Sequence, residues 1–230
     1  MASLVPLTVP MDVPPYRLSG TVFGVLLNHR TALAALGAAA SAPPYQAPPH
    51  APVLYVKPRN TLCGNGAPVA VPADAPELAI GACLGLVVGR TACRLAADRA
   101  LESLAGYIIV NDLSVPHASY YRPAVRSQSR DGFCPIGPRV VARTAIGDPD
   151  ALTLRVYVDG ELRHAAATAQ LVRGAAELLA AVTEFMTLAP GDVLAAGVAA
   201  PAPRARAGQH VAIEIDGLGC LENPLVAEAP

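Results

Sequence analysis

Between Asn111 and Pro138 the chain concentrates side chains that could do chemistry. Asp112 closes an apolar run that begins at Gly106, and Arg122, Arg126 and Arg130 follow amid Tyr120, Tyr121, Pro123, Gly132, Pro135 and Pro138. A planar guanidinium takes a carboxylate through two hydrogen bonds. These arginines, with Lys57 and Asn60 from the earlier segment Lys57-Pro58-Arg59-Asn60-Thr61, therefore have the composition of a pocket for a small dicarboxylate or 2-oxo acid. Each of these cations is equally a candidate for a solvated or structural charge, and Asp112 either lines a pocket or hydrogen-bonds its own turn. Tyr120 and Tyr121 read as packing or rim residues. Among the histidines, His29, beside Asn28 at the end of the first apolar run, is the candidate acid or base. His50, His117, His164 and His210 fall in loops or strand ends without metal-ligand spacing and read as packing or surface groups.

Positioning such groups needs a scaffold, and the periodicity describes one that is mainly strand. Residues 21–27 read as a strand, and Thr31 can cap a short Ala-rich helix reaching about Ala40. Residues 42–52, with Pro43-Pro44 and Pro48-Pro49, read as a linker that closes a small N-terminal unit (residues 1–50) before a larger domain (51–230). From Val53 onward short β-branched runs alternate with Pro and Gly, and Leu152 to Val158 alternates well ahead of the hairpin signal Asp159-Gly160. Helices are expected over 97–105, stopped by Gly106 in a left-handed cap, and over 168–188. In the second helix Leu171, Ala175, Leu178, Leu179, Val182, Phe185 and Met186 share an apolar face, which is a core signature. The fold class is α+β, mainly β, a rolled or sandwiched sheet with few helices.

Composition excludes several classes. With 15% charged residues and a net charge of −1 over 230 residues, the chain has no electrostatic footprint for nucleic acid and no basic membrane face. Five cysteines without close-pair spacing suggest reduced thiols rather than disulfides or a structural zinc site. No apolar run is long enough to span a bilayer, and the first 19 residues carry four prolines rather than a signal pattern, so a cytoplasmic protein with a Pro-rich arm is expected. The apolar composition and the arm together point to an oligomer.

The segments Leu27-Asn28-His29-Arg30, residues 55–61, Leu84 to Gly89, Gly106 to Pro138, Leu188-Ala189-Pro190-Gly191-Asp192, Gly217-Leu218-Gly219 and Leu221-Glu222-Asn223-Pro224 stand in an order that resembles the fumarylacetoacetate hydrolase family. The resemblance covers roughly residues 20 to 226 and is greatest to the isomerase/decarboxylase branch of homoprotocatechuate (4-hydroxyphenylacetate) breakdown. It implies a mixed β-roll. It also implies a carboxylate-held Mg²⁺ that polarises adjacent carbonyl and carboxylate oxygens, bound through a Glu-x-Glu pair and an Asp.

In this sequence those three positions fall on Gly81, Cys83 and Asp112, so no tightly bound metal is expected here and the Mg²⁺ belongs to a partner subunit. Other family positions fall on neutral residues: a lysine on Gln128, a Thr-Gly-Thr turn on Ala196-Gly197-Val198, and the hydrolytic His and Glu on Ala32 and Ala35. Without that dyad, hydrolysis is not expected. The resemblance thus implies a homo-oligomeric subunit, or one paired with a metal-bearing paralogue, handling 5-oxopent-3-ene-1,2,5-tricarboxylate and 2-hydroxyhepta-2,4-diene-1,7-dioate. A non-catalytic scaffold and a dicarboxylate-binding protein are the other classes open to it.

Overall fold

The computed structural model describes residues 20–117 and 119–228, so the Pro-rich arm expected over residues 1–19 lies outside the described residues. Its first half contains β1 (Val22–Leu26), α1 (Arg30–Leu36), β2 (Val53–Lys57), β3 (Leu62–Cys63), β4 (Val69–Val71), β5 (Leu78–Ala79), β6 (Ala82–Val88), α2 (Ala97–Ala100) and β7 (Leu104–Asn111). The second half contains α3 (Val125–Gln128), β8 (Cys134–Ala142), β9 (Thr153–Val158), β10 (Glu161–Ala167), α4 (Ala175–Thr183), β11 (Val193–Ala195), β12 (Arg204–Ala205), β13 (His210–Ile215) and β14 (Gly219–Ala227).

A mixed seven-stranded sheet runs β2-β1-β11-β6-β7-β8-β3, a five-stranded sheet runs β10-β9-β13-β14-β4, and β12 pairs with β5 in a short ribbon. The two large sheets share one apolar core, in which Leu84, Leu86 and Ile109 meet Val156, Ile213 and Leu221. Every residue of β6 is buried. Its alternate side chains, Cys83 and Val87, face a second cluster with Ile108, Val110 and Ile136, which explains its unbroken apolar run. In β9, by contrast, Leu154, Val156 and Val158 are buried while the residues between them are partly exposed. The hairpin to β10 turns through Asp159 (φ 52°) and Gly160 (φ 79°), the paired left-handed conformations that an Asp-Gly hairpin turn uses. β1 lies inside the seven-stranded sheet between β2 and β11, so the strand of the expected N-terminal unit is hydrogen-bonded to strands on the far side of residue 50.

Three local expectations are corrected. The helix expected over 168–188 is only the nine-residue α4. Val172 N–H donates to the Asn28 carbonyl and Arg173 N–H to Asn28 Oδ1, while Leu171 bridges His29, so tertiary contacts hold this stretch extended. α4 starts at Gly174 because Asp150 Oδ1 accepts from Ala175 N–H at 2.9 Å, and a Cβ on Gly174 would lie 2.4 Å from Asp150 Oδ2. Phe185, placed on the core face by its spacing, lies beyond the end of α4 and is 65% exposed.

The helix expected over 97–105 shortens to α2 and a 3₁₀ turn, and Gly106 sits inside β7 instead of capping it. A Cβ there would lie 2.0 Å from the Val141 carbonyl oxygen, so glycine serves a close strand approach. α1 begins two residues earlier than expected, with His29 instead of Thr31 as its cap: Thr31 N–H donates to His29 Nδ1, and the helix gives way to a 3₁₀ turn at Gly37.

Candidate active site

The edge strand β2 builds the floor of the site. Alternation places Tyr55 and Lys57 on one face of it. Opposite Tyr55 on β1 stands Gly24, where a Cβ would fall 2.0 Å from Tyr55 Cζ, so the phenol ring lies across a glycine. Asp112 follows β7 directly and meets both side chains. Lys57 Nζ is 2.7 Å from Asp112 Oδ1, and Tyr55 Oη–H donates to Asp112 Oδ2. Lys57 directs hydrogen bonds to the carbonyls of Leu113 (3.0 Å) and Gln128 (2.8 Å), so its contact with Oδ1 is electrostatic rather than an aligned hydrogen bond. Both charged groups are buried, Lys57 at 2% exposure and Asp112 at 9%. Burial, and then the Asp112 charge, push the Tyr55 phenol well above its ordinary value, so it stays a donor.

A cavity of about 540 Å³ opens over this group. Its polar lining is Tyr55, Asp112, Ser114, His117, Gln128 and Arg204, and its apolar wall includes Val25, Leu26, Leu27, Val198 and Pro201. Leu27 has φ 59°, a left-handed conformation uncommon for such a side chain, at the point where β1 turns toward α1. A second cavity of about 480 Å³ adjoins the first, sharing Leu26, Tyr55, His117, Tyr120 and Gln128 and reaching Arg122, Tyr121 and Val125. Arg204 enters through the short ribbon: it pairs with Ala79, which in turn bridges Ser114. Its Nη1 lies 2.5 Å from Glu77 Oε1, and its side chain is 57% exposed.

Of the side chains singled out in the sequence, Lys57 and Asp112 come together and Arg122 lies in the adjoining cavity. Arg126 and Arg130 do not join them. Arg130 grips Asp74 with two hydrogen bonds of 2.8 and 2.9 Å, Arg126 adds one of 3.0 Å, and the Asp74 carboxyl is held down to about 2 by these bonds. Asn60 Nδ2 is also engaged elsewhere, with the Ser129 carbonyl and Asp131 Oδ1.

His29 lines a different, far smaller void with Ala167 and Leu171, and burial holds its imidazole below the ordinary value. It does not line the Asp112 cavity. His117, read from the sequence as a packing or surface group, is in the cavity wall instead. Arg204 and Tyr55 also went unrecognised. Tyr55 is signalled by its i, i+2 spacing from Lys57, whereas nothing in Pro201-Ala202-Pro203-Arg204 marks Arg204.

The three positions that the resemblance assigns to metal ligands do converge, since Ala82 pairs with Asn111 and Asp112 N–H donates to the Gly81 carbonyl at 2.8 Å. The residues present do not fit a hard divalent cation. A Cβ on Gly81 would lie 2.2 Å from the Asp112 carbonyl oxygen, leaving no room for a side chain. The Cys83 thiol is buried, pushed well above its ordinary value by that burial, and 3.7 Å from the Val110 carbonyl. Asp112 is already engaged by Lys57 and Tyr55, and the described residues hold no group of three His, Cys, Asp or Glu side chains that could share an ion.

Residues 21–226 match the family model described as fumarylacetoacetate (FAA) hydrolase C-terminal. The 4-hydroxyphenylacetate degradation bifunctional isomerase/decarboxylase of Salmonella dublin is 44% identical over 211 residues, which is 92% of this chain and 48% of the relative. The chain therefore spans about half the length of the curated relatives of that name. Among solved structures, the 5-carboxymethyl-2-hydroxymuconate delta-isomerase of Mycobacterium smegmatis superposes with a TM-score of 0.79 at 30% identity, covering 93% of this chain and 81% of that one. The 2-hydroxyhepta-2,4-diene-1,7-dioate isomerase of Mycobacterium marinum gives 0.73 at 29% identity, covering 93% and 77%. No helix among the described residues is long and apolar enough to cross a membrane. On the family match, the identity across nearly the whole chain and the shared β-roll, the protein belongs to the fumarylacetoacetate hydrolase family.

Proposed function

We propose that the chain is a subunit of an isomerase/decarboxylase of 4-hydroxyphenylacetate (homoprotocatechuate) degradation, acting on 5-oxopent-3-ene-1,2,5-tricarboxylate and 2-hydroxyhepta-2,4-diene-1,7-dioate. The observation that carries this reading is the cavity over Asp112 and Tyr55 with Arg204 in its wall, found in a chain 44% identical to a bifunctional enzyme of that name. Arg204 engages Glu77 through Nη1 only, which leaves Nε and Nη2 for a substrate carboxylate, whereas Arg130 uses all three nitrogens within the protein. Lys57 compensates the Asp112 charge, so the floor does not repel a dianion. Val25, Leu26, Val198 and Pro201 exclude water from the carbon skeleton.

Ala32 stands in the same wall, where hydrolytic relatives carry an imidazole, so no group there activates water. The chemistry left to this cavity is movement of a proton within the substrate, that is, keto–enol isomerisation. The Mg²⁺ of the family is assigned to a partner subunit, and the chain assembles either with itself or with a metal-bearing paralogue. The exposed Val53 and Val56 of edge strand β2, together with Tyr121 and Val125, supply an apolar face for that contact.

A second reading, a scaffold that only completes such a paralogue, is favoured by the closed packing at Gly81. Purified chain, paralogue and co-expressed pair, each assayed by ultraviolet absorbance for enol isomerisation and decarboxylation with and without Mg²⁺, test both. Isomerisation by the chain alone supports the first reading. Activity that appears only when a metal-loaded paralogue is present supports the second, and activity in neither preparation ends both.

A further inference from the structure

We propose that Arg122 selects extended diacids: it receives the distal carboxylate of a substrate whose 2-oxo or 2-hydroxy end lies over Asp112 beside Arg204. The assignment rests on the functional reading above and deepens it. The two cavities, about 540 and 480 Å³, share the wall formed by Leu26, Tyr55, His117, Tyr120 and Gln128, so one elongated ligand fits across both. Polarity divides the space. The end over Asp112 offers Tyr55, Ser114 and Gln128 beside Arg204, groups suited to a carboxylate and the oxygen next to it. Beyond the shared wall, Val53, Leu54, Val56 and Pro58 line the second end, and Arg122 is its only permanently charged side chain among the described residues. Polar head, apolar middle and terminal cation are the order of groups that a long diacid presents in complement.

The charges facing this space are not balanced. Lys57 offsets Asp112, and Glu77 engages Arg204 through one nitrogen. Arg122 has no hydrogen bond or ion pair with any described residue, whereas Arg126 and Arg130, four and eight residues further on, are both held by Asp74. One positive charge is therefore left over, at the end of the cavity away from Asp112. Arg122 is exposed, so its donors are open to a ligand, and a guanidinium keeps its charge at any working pH.

The backbone that carries Arg122 is held on both sides. Before it, Tyr120 N–H donates to the Tyr45 hydroxyl at 2.8 Å, and Tyr121 meets the Tyr45 ring edge-on with centroids 6.3 Å apart. After it, Val115 N–H donates to the Ser127 carbonyl at 2.9 Å and Lys57 Nζ to the Gln128 carbonyl at 2.8 Å. The lysine that balances Asp112 thus also anchors the segment bearing Arg122, which ties the two ends of the site together. Fixing the backbone before the ligand arrives lowers the ordering cost of binding. Val53, Val56, Tyr121 and Val125 belong both to this cavity and to the apolar face assigned above to subunit contact, so a partner docked there roofs the ligand and reduces the solvent screening of Arg122.

The test is calorimetric titration of the full chain with 2-oxoheptanedioate and with 2-oxoheptanoate, which has the same carbon skeleton and lacks the distal carboxylate. The wild type should bind the diacid at least about tenfold more tightly than the monoacid, the scale of a charge-assisted hydrogen bond. Arg122→Ala should weaken the diacid by about 10- to 100-fold and leave the monoacid within about twofold, so that the preference disappears. Arg122→Lys, which keeps the charge but not the fork, should retain part of it. Arg126→Ala should change neither ligand by more than about twofold, because its partner is a surface carboxylate. A structural role for Arg122 would instead weaken both ligands alike. That result, or a wild type that binds the two ligands within about twofold of each other, overturns the assignment alone. A wild-type chain that binds neither ligand overturns the functional reading and the assignment together.

Discussion

Lys57 Nζ lies 2.7 Å from Asp112 Oδ1 at the floor of the cavity, and both side chains are buried. Leu113 and Gln128 accept two hydrogen bonds from the ammonium, so three protein oxygens surround its charge. Lys57 is thereby the counter-charge that lets Asp112 remain in the wall.

Removing one member of that pair should be strongly destabilising. Lys57→Met or Asp112→Leu leaves an uncompensated buried charge, and each should lower the unfolding free energy by about 3–5 kcal/mol in urea titrations. The double variant should lose less than the sum of the two. A single variant within ~1 kcal/mol of wild type would show that water or a rearranged neighbour solvates the remaining charge.

Arg204 and Arg130 should behave oppositely toward a ligand. Arg204→Ala should weaken binding of an unreactive 2-oxo diacid by about 10- to 100-fold, the scale of a lost charge-assisted hydrogen bond, measured by calorimetry. Arg130 is occupied by Asp74, so Arg130→Ala should stay within about twofold, as should the exposed Arg94→Ala, because a surface ion pair contributes little. Equal losses at Arg204 and Arg130 would return the pocket to the arrangement expected from the sequence.

Stability should fall as pH drops through the histidine range. His29 and His164 both have imidazoles lowered by burial, so the unfolded chain takes up protons first. The contribution is complete above the unfolded value of about 6.5 and is lost as pH falls from there through the lower folded values. Unfolding measured at several pH values between neutral and mildly acid should therefore be steeper for wild type than for His29→Asn/His164→Gln, in which asparagine keeps an acceptor for the Thr31 N–H. Equal slopes would mean that neither ring resists protonation.

Magnesium should bind weakly to the purified chain, and restoring a glutamate should not help. Gly81→Glu places its Cβ against the Asp112 carbonyl, 2.2 Å away before any shift, so the variant should lose stability and gain no stoichiometric site by calorimetric titration. A tight, one-to-one Mg²⁺ isotherm for either protein would contradict the geometry.

Several features were legible in the linear chain because short-range physics governs them. The fully apolar run of β6, the alternation of β9 and the Asp159-Gly160 turn each follow from side-chain period or from a local left-handed requirement. The family was readable as well, yet some of its motif residues prove to be scaffold. Asp192 accepts from Thr21 and Ala189 N–H, Asn223 donates to the Gly64 and Ala67 carbonyls, and Asn28 ties β1 to the stretch before α4.

The membership of the site was a matter of tertiary structure. Arginine density suggested a pocket, but Asp74, more than fifty residues away in sequence, captures Arg126 and Arg130, while an unmarked ribbon delivers Arg204. Position in the chain singles out His29 and passes over His117. His29 lines a void of about 10 Å³ and His117 the wall of the cavity of about 540 Å³, a distinction made only when β1, β7 and the ribbon are packed together. Residue type sets what a side chain can do. Which partner reaches it first depends on contacts between residues remote in sequence, and those exist only in the folded chain.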